Sequence, residues 1–592
     1  MAFEQIPLDK YSEAFLNATE LSSVALGGKV ISVSDEFFAE AFHLILVEAP
    51  PSLKGQFGPK GALYSGWETR RHNPDYDWCI LKLGTAGTIV GFDIDTTNFN
   101  GNEAPHALVE ALLNSSSEDP LVSDSRWSEI LPIVDLGPSA RHLFRVPESL
   151  SINYVKLKMY PDGGIARFRV YGNVTPIFPA DVTESFDLAH VFAGGRVEFV
   201  SDQHFGVGGN LILPGRGVNM GDGWETKRSR QKGHKDWVII KLCLPGYLEV
   251  AEIDTAHFMG NFPESIELHA LHDTILSTKD LPLEGWTEIL PRTKVGPHRR
   301  HYFQLENVEG KKYTHVKVTI HPDGGLKRVR LVGKRADKSV QGAAVTDNHG
   351  MSSVNDTKPV DEANNGAEAV KRMSSTDKVS AATSATTIPI LPLTAEAFAP
   401  FGKVIQAYAD HNAAPRGTKI TSANQGTASK FHKLGLISSC YPSEAVATTG
   451  LSVFRCSPLS HNGVNGEWEV KVLERHPFTT QAFIPMGPAG SFGKNMDGLE
   501  DPGDGYLVVV AKNGPDDKPD RKTLRAFSAS AAQGIMYDTA IWHQPMVVFD
   551  KTMDFTCVET QIGNGEKADC EIINLDELEG KFKVKMRRDL ET

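Results

Sequence analysis

The sequence has few cysteines, no long apolar run and no excess of basic residues, and each absence excludes a class of protein. Six cysteines are scattered over 592 residues without a CxxC pair, so we expect free structural thiols in an intracellular protein. No stretch approaches the ~18 apolar residues that a membrane-spanning helix requires. The net charge of -13 and the pI of about 5.9 disfavour a nucleic-acid or anionic-membrane binder, which needs a basic face.

The remaining composition is that of a large globular protein. The 592 residues exceed what one hydrophobic core organises, so we expect three or four domains. The N-terminal MAFEQIPLDK lacks the basic-then-apolar pattern of a secretion signal, and the C-terminal RRDLET carries no retention or peroxisomal tripeptide. A cytoplasmic location is therefore expected.

The first half of the chain repeats itself at a spacing of about 159 residues. Two pairs of matched phrases, with their first residues, are GWETRR (Gly66) and GWETKR (Gly223), and DIDTTNFNGN (Asp93) and EIDTAHFMGN (Glu252). Because further phrases match in the same order with small gaps, the two units are duplicates of one domain. We assign them to residues 1–180 and 181–335.

Within each repeat the residue pattern is typical of short β-strands. Val155, Leu157 and Met159 alternate with lysines, which is the period of a half-buried strand. The turn sequence PDGG at 161–164 then leads to a second alternating run around Phe168, so a β-hairpin is predicted. Many Gly and Pro and little helical periodicity predict a β-sandwich for each repeat.

A polar segment separates the repeats from a third region. Residues 336–388 contain no Leu and no aromatic residue, so they are predicted to form a disordered linker, with a docking peptide as the alternative. Beyond it, LPLTAEAFAPFG predicts a short helix with Thr394 as its N-cap and Gly402 just past its end. The β-like runs that follow predict a barrel-like domain at 389–592.

The charged phrase around each repeated tryptophan has two interpretations. In the first, Trp67 and Trp224 are core residues, and Glu68 and Arg70 form an internal ion pair. In the second, the cations of the phrase hold a small carboxylate, for which the planar guanidinium is suited. The candidate substrate-binding residues in the repeats are Glu68, Arg70, Arg71, Glu225 and Arg228.

Two aspartates and one histidine are the catalytic candidates of the repeats. Asp95 and Asp254 each end a strand-like segment before Thr, where a carboxylate could act as an acid or base. His257 stands where the first copy has Asn98, and an imidazole titrates near working pH whereas Asn does not. The chemistry would then concentrate in the second copy or at the junction, unless His257 is an ordinary surface histidine.

Residues 20–333 resemble the allantoicase family, which is built of two galactose-binding-like jelly-roll repeats. The resemblance is carried by the GWETRR and GWETKR phrases, by DWCILKLG and DWVIIKL, by DIDTTNFNGN and EIDTAHFMGN, and by the paired PDGG turns. It implies hydrolysis of allantoate to ureidoglycolate and urea. The repeat that holds the site is left open by the sequence.

In the third region, LERHPFTTQAFIPMG places Glu474 and His476 two residues apart, on one face of a strand. Gln481 follows, and AIWHQP adds His543 downstream. The set resembles the inward-facing ligands of a cupin barrel, which can bind a divalent ion, although Gln481 would be a poor ligand. No cofactor is certain, and a solvated pair on an edge strand is the alternative.

Residues 389–592 resemble the ureidoglycolate lyase family, which is cupin-like. The resemblance is carried by LPLTAEAFAPFGKVI, LERHPFTTQAFIPM, YLVVVAKNGPDDKPDRKTLRAF and GIMYDTAIWHQPM. It implies cleavage of ureidoglycolate to glyoxylate and urea. Gln544 replaces the second histidine of the WHHP pattern found in some members. The residues proposed for this chemistry are His476 and His543 for proton transfer, Glu474 for orienting, Arg525 or Lys518 for the carboxylate, and Gln481 for the urea group.

Together these patterns predict an all-β protein, with two tandem jelly-roll sandwiches followed by a cupin-like barrel. The predicted function is bifunctional, because the product of the first reaction is the substrate of the second. The alternative is that only one half is catalytic and the other is a ligand-binding or structural β-domain. The expected partners are small ureides and further copies of the same chain.

Overall fold

The computed structural model describes residues 3–15, 18–272, 284–336, 386–458, 467–488, 499–565, 567–575 and 581–586. Of the predicted linker, residues 337–385 lie outside the described residues. The described structure is almost entirely β, as predicted, with short helical turns between strands. Among the described residues, no helix has the length and apolar character needed to cross a membrane. All six cysteines are free thiols.

The described residues fall into two compact units. The first unit contains both repeats together with Pro392–Leu436 and Ala532–Met536. The second contains Ile437–Ala531 and Tyr537–Thr592 and includes the strand that begins at Thr386. The domain boundaries given above remain a prediction.

The first repeat is built around one strand of 19 residues, Asp77–Asp95. Its side chains are buried over most of its length because other strands pair with it along both halves. The other strands are Glu4–Ile6, Thr19–Glu20, Lys29–Val33, Phe57–Gly58, Gly61–Ala62, Trp67–Glu68, His106–Leu112, Ser128–Asp135, Arg141–Arg145, Ile152–Tyr160, Gly164–Ile165 and Arg167–Val174. The helical segments are Leu8–Lys10, Tyr11–Phe15, Val24–Leu26 and Ala41–Ile45.

The predicted hairpin in this repeat is wrong. Ile152–Tyr160 pairs with His106–Leu112 and with the first half of the long strand, whereas Arg167–Val174 pairs with its second half. Between the two strands, Gly164–Ile165 pairs with Trp67–Glu68 and directs the chain away from a simple reversal. The alternating pattern therefore predicts strands but not their partners, because partners are set by the long strand that both share.

The second repeat has the same plan around another strand of 19 residues, Asp236–Asp254. The remaining strands are Phe186–Asp187, Arg196–Val200, Trp224–Glu225, Ser265–Leu271, Thr287–Lys294, Arg300–Gln304, Tyr313–His321, Gly325–Leu326 and Arg328–Arg335, and the helical turns are Val191–Ala193, Gly208–Ile212 and Met220–Asp222. Trp67 and Trp224 are each fully buried in the core of their own repeat. Each indole Nε1–H donates to a backbone carbonyl, that of Asp35 or Asp202, at 2.8 Å. The structural interpretation of the repeated tryptophan is thus correct.

The third region forms a β-barrel. Its main sheet runs in the order Glu467–Val470, Phe582–Met586, Thr386–Pro392, Arg525–Ser530, Gly505–Ala511, Trp542–His543, Val472–Arg475 and Glu571–Asn574, with Val547–Val548 beside Gly505–Ala511. Three more strands pair in the order Gln481–Pro485, Met553–Gln561 and Thr448–Cys456. The other strands are Gly402–Ile405, Lys419–Ala423, Ala428–His432 and Gly534–Tyr537, and the 3-10 turns are His411–Ala413, Asn424–Gly426, Ser443–Ala445 and Arg521–Thr523.

The short helix that the sequence predicts at the start of the third region is Ala395–Phe398. The side chain of Thr394 accepts a hydrogen bond from the backbone N–H of Ala397, so Thr394 is the N-cap as expected. Gly402 has φ of 158°, and the next strand begins there.

Candidate functional site

Three side chains of the third region converge inside the barrel. Glu474 lies opposite His543 in paired strands, and directly opposed residues share a face of the sheet. His476 follows the end of the strand that carries Glu474, and its ring lies 5.6 Å from that of His543, at 22° to it. One possible ligand atom from each of the three residues lies within 4.8 Å of the other two. The structure thus brings together Glu474, His476 and His543.

Backbone carbonyls fix the tautomer of both imidazoles. The Nδ1–H of His476 donates to the carbonyl of Asp569 at 2.7 Å, and that of His543 donates to the carbonyl of Ile541 at 3.0 Å. Because a carbonyl only accepts, each neutral ring carries its hydrogen on Nδ1 and leaves a lone pair on Nε2. Both Nε2 atoms are buried without a hydrogen-bond partner among the described residues. Two basic nitrogens therefore face the same interior space.

Gln481 joins this cluster from the neighbouring sheet. Its Nε2–H donates to Glu559 at 2.9 Å, while its Oε1 is buried without a partner among the described residues. Glu559 is nearly buried and lies 3.7 Å from Nδ1 of His476. An orphaned acceptor in a buried site is costly unless a ligand pairs with it. Gln481 and Glu559 together present acceptors suited to the N–H groups of an amide.

The ionisation of the cluster follows from burial and from the charges within it. Burial, and then the neighbouring His543, lower the pKa of His476, so this ring is neutral near pH 7. Burial alone would raise the pKa of Glu474, but His543 beside it brings the pKa below the ordinary value. Burial raises the pKa of Glu559. The site therefore combines a neutral base, a carboxylate and a carboxyl that holds its proton more readily.

Four residues at this site were missed by the sequence analysis. Cys570 lies 3.8 Å from Glu474, and the ring of Tyr537 stacks on His543 at a centroid distance of 3.9 Å. Glu559 and Asp569 are the other two. The alternation of Cys557 and Glu559 within the strand Met553–Gln561 was a usable signal for Glu559. Asp569 and Cys570 lie in a loop region, and no local pattern marks them.

Glu474, His476 and His543 could hold a divalent metal ion. Two imidazole nitrogens and a carboxylate are a suitable donor set for first-row transition metals. Both nitrogens are unpaired, and the ligand atoms are close enough for one ion to reach all three. The residues therefore fit a metal.

The two candidate carboxylate-binding residues differ in position. Arg525 lies opposite Val510, which in turn lies opposite His543, so the strand register places Arg525 on the same face two strands away. Lys518 is exposed, in the loop whose Asp517 is held by Arg475 at 2.7 Å. Arg475 neighbours Glu474 and faces the other side of the strand. The structure does not bring Lys518 to the cluster.

In the repeats, the charged phrase forms a network around its glutamate. Glu68 accepts hydrogen bonds from Arg71 at 2.9 Å and from the amide of Asn102 at 3.0 Å. Burial raises the pKa of Glu68, although both donors oppose this. In the second repeat, Glu225 accepts from the equivalent amide of Asn261 at 2.6 Å. A glutamate held by an asparagine is thus common to both copies.

The expected pair of Glu68 with Arg70 is wrong. Arg70 points outward, with 68% of its side chain exposed, and it pairs with Asp35 at 2.9 Å, whereas Arg71 reaches Glu68. The strand Trp67–Glu68 ends at once, so alternation of side chains does not extend to the arginines. In the second copy, Arg228 is exposed.

The two candidate aspartates are buried but have different partners. Asp95 accepts a hydrogen bond from the backbone N–H of Thr97 at 2.8 Å, and it makes no ion pair with the described residues. Asp254 is held by Arg216 through two hydrogen bonds of 2.7 and 2.8 Å. Among the described residues, only the second of these two carboxylates is therefore held in an ion pair.

His257 adopts a left-handed backbone conformation, with φ of 68°, as does its counterpart Asn98, with φ of 72°. The backbone N–H of His257 donates to Nδ1 of His298 at 2.8 Å, where the first copy uses the hydroxyl of Ser139. In the second copy, His257 and His298 thus occupy the positions that Asn98 and Ser139 hold in the first.

Two protein families match different parts of the chain. The allantoicase repeat family matches residues 19–175 and 186–336, and the ureidoglycolate lyase family matches residues 385–583. The chain is 50% identical to a probable allantoicase of Schizosaccharomyces pombe over 327 residues, which are 54% of this chain and 94% of that protein. It is 46% identical to an allantoicase of Neurospora crassa over 340 residues, 56% of this chain and 96% of the relative.

A solved structure supports the fold of the repeats. The crystal structure of allantoicase from Saccharomyces cerevisiae covers 56% of this chain and 100% of its own, with 42% sequence identity and a TM-score of 0.50. Fold and site together define an all-β enzyme with two distinct halves, a tandem jelly-roll pair and a cupin-like barrel. The chain belongs to the allantoicase family and carries a ureidoglycolate lyase domain after its two repeats. These two domains are those of a bifunctional enzyme of allantoin degradation.

Proposed function

We propose that the chain releases urea twice from one carboxylate-bearing carbon, with the second release at Glu474, His476 and His543. The repeats hydrolyse allantoate to ureidoglycolate and urea, and the barrel cleaves ureidoglycolate to glyoxylate and urea. The observation that carries the proposal is the pair of buried, unpaired Nε2 atoms that converge beside a carboxylate.

Ureidoglycolate offers each of these groups a partner. Its ureido N–H groups would donate to the orphaned Oε1 of Gln481 and to the carboxyl of Glu559, which already bonds Gln481. Its carboxylate would face Arg525, whose strand position is two strands from His543. The carbinol carbon would then lie near the two imidazoles.

The cleavage requires one proton to leave and another to arrive. His476, neutral and with a free Nε2, would take the hydroxyl proton as the C–O bond becomes a carbonyl. His543, protonated at Nε2 as well as at Nδ1, would donate the Nε2 proton to the departing ureido nitrogen as the C–N bond breaks. Glu474, 3.6 Å from Nε2 of His543, would stabilise the charged form of that ring. The electron pair of the C–N bond leaves with urea, so no water is consumed.

A divalent metal would use the same three residues. When bound, such an ion supplies a Lewis acid that lowers the pKa of the substrate hydroxyl. Dialysis against a chelator separates the two possibilities, because acid–base catalysis by the imidazoles alone survives metal removal.

In the repeats we propose Asp95, Asp254 and His257 as acid–base candidates. The network around Glu68, Arg71 and Glu225 would support substrate binding, as would Arg70 and Arg228 at the surface. Allantoate needs a cation for its carboxylate and a proton donor for the departing urea, and these residue types supply both. A cytoplasmic location and a homo-oligomeric state remain predictions.

Direct assay of the full chain tests the lyase site. Ureidoglycolate supplied to the His476→Ala variant should yield glyoxylate about 10²–10⁴-fold more slowly than with the wild type. Allantoate supplied to the same variant should still release the first urea at the normal rate. If both variants His476→Ala and His543→Ala form glyoxylate at the wild-type rate, the lyase reaction does not take place at this cluster.

A further inference from the structure

One face of the second repeat is in contact with the first segment of the lyase domain. Pro392–Leu436 belongs to the same compact unit as the repeats, although the ureidoglycolate lyase family match begins at residue 385. Within this segment, Ala397 packs against the core of the second repeat. We name the contacting residues of the repeat, Phe262, Gly296, Arg299 and His301, the docking face.

The contact is centred on a nearly buried carboxylate. Glu396 lies 3.3 Å from the guanidinium of Arg299 and 4.0 Å from Nε2 of His301. Only 7% of its side chain is exposed. A carboxylate is rarely placed in such a position without a cationic partner, because burial of an unpaired charge is costly. The cationic partner of Glu396 is therefore Arg299 of the second repeat.

Two cation–π contacts extend the interface in opposite directions. The guanidinium of Arg299 lies over the ring of Tyr408, 5.3 Å from its centroid. The guanidinium of Arg416 lies over the ring of Phe262 at 4.6 Å. Each side thus supplies a cation to an aromatic ring of the other, which fixes the orientation of the segment as well as its position.

The first repeat lacks this face at the equivalent positions. The aligned sequences PSARHLF and PHRRHYF place Ala140 where the second copy has Arg299, and NFNGNEAP and HFMGNFPE place Glu103 where it has Phe262. His142 and His301 occupy the same position and make the same two hydrogen bonds to the backbone. The copies therefore share the turn and differ in the side chains that contact the segment.

Glycine makes room for the buried carboxylate in the second copy. A Cβ at Gly296 would lie 2.5 Å from Oε1 of Glu396 and 3.0 Å from Nε of Arg299, so the paired side chains would have to shift. At the equivalent Gly137 of the first repeat, the nearest atom to a Cβ is Nε2 of His142, at 3.6 Å, an ordinary contact. Gly137 and Gly296 thus occupy equivalent positions, but only at Gly296 would a side chain collide with the segment Pro392–Leu436.

We propose that the docking face of the second repeat is a binding site for Pro392–Leu436 of the same chain. The described part of the first repeat, with Ala140 and Glu103 at the equivalent positions, has no such site. The segment that begins the lyase domain is then a structural part of the allantoicase half. This inference is independent of the chemistry proposed for either half.

Hydrogen–deuterium exchange of the full chain tests the proposal. In the Gly296→Ala variant, the amides of Phe398 and Ala399, which close the short helix, should exchange faster by on the order of tenfold. The Gly137→Ala variant should leave these two amides unchanged. The strand Asp236–Asp254 should remain protected in both variants and so report that the repeat is folded.

A second variant distinguishes loss of this contact from misfolding of the repeat. Arg299→Ala gives the second repeat the residue that the first repeat carries, so its fold is expected to persist while Glu396 loses its partner. Faster exchange at Phe398 in this variant supports the docking site. Unchanged exchange at Phe398 in both Gly296→Ala and Arg299→Ala overturns it. Protection that falls on dilution of the wild type also overturns it, because the segment would then come from a second copy.

Discussion

The two repeats of this chain have equivalent cores but different side chains at the strand ends and turns outside the core. Both fold around a strand of 19 residues, and both bury a tryptophan whose indole donates to a carbonyl at 2.8 Å. They differ at the end of that strand, where Asp254 is held by Arg216 and Asp95 makes no ion pair with the described residues. They differ also where Ala140 is replaced by Arg299. Core residues were retained in both copies because each sandwich needs them, while the turns were free to acquire separate roles.

The largest effect should be the same in both repeats. Trp67→Ala and Trp224→Ala should each reduce the free energy of unfolding of their own repeat by about 3–5 kcal/mol, since each leaves a large cavity and an unpaired carbonyl. Calorimetric unfolding of the two variants measures this cost. A cost several-fold smaller in one copy would show that the two cores are not equivalent.

The aspartates should separate the copies. Asp254→Asn leaves Arg216 without its carboxylate and should cost about 2 kcal/mol of unfolding free energy. Asp95→Asn keeps the hydrogen bond from Thr97 and should cost less than about 1 kcal/mol. Denaturant unfolding of both variants checks the order. Equal costs would contradict the assignment of the ion pair to one copy only.

Acid should weaken the second repeat through His301. Burial lowers the pKa of this imidazole, against the opposing charge of Glu396, with Arg299 and Asp254 also nearby. The folded repeat therefore binds a proton more weakly than the unfolded chain. The stability that neutral His301 contributes to the second repeat is fully present above the ordinary histidine pKa of ~6.5. This contribution falls as the pH drops through that value, because the unfolded chain then binds the proton first.

The His301→Gln variant provides the control for this pH dependence. The wild type should lose about 1 kcal/mol more than the variant between pH ~7.5 and pH ~5.5, because Gln does not titrate. Unfolding of both proteins at the two pH values measures the difference. Identical losses would assign the acid sensitivity to another group.

The smallest effect should come from the arginines of the repeated phrase. Arg70→Ala removes an exposed pair with Asp35 and should change the unfolding free energy by less than about 0.5 kcal/mol. Arg71→Ala removes the partner of the buried Glu68 and should cost about 1 kcal/mol. Thermal unfolding distinguishes them. A larger cost for Arg70→Ala than for Arg71→Ala would contradict this order.

The sequence predicted most of the fold and the centre of one site. Duplication, all-β content and the N-cap at Thr394 follow from local patterns. Glu474, His476 and His543 were grouped because strand alternation and family resemblance both indicate an interior face. The hairpin and the Glu68–Arg70 pair were wrong, because both depend on which distant segment lies alongside.

Contacts made over long chain separations could not be read from the sequence. Glu559 and Gln481 form a hydrogen bond between two neighbouring strands. Glu396 forms an ion pair with Arg299, although the two residues are far apart in the chain. Neither contact has a local motif, because the two partners of each contact lie on segments that are distant in the chain. The three-dimensional register decides that they are buried.

The central claim, that one chain removes urea twice in sequence, is tested most directly by product stoichiometry from allantoate. Wild-type protein should convert each allantoate to one glyoxylate and two molecules of urea. The double variant His476→Ala/His543→Ala should stop after one urea and accumulate ureidoglycolate. Full glyoxylate formation by the double variant, or no urea from the wild type with divalent ions present, would contradict the account.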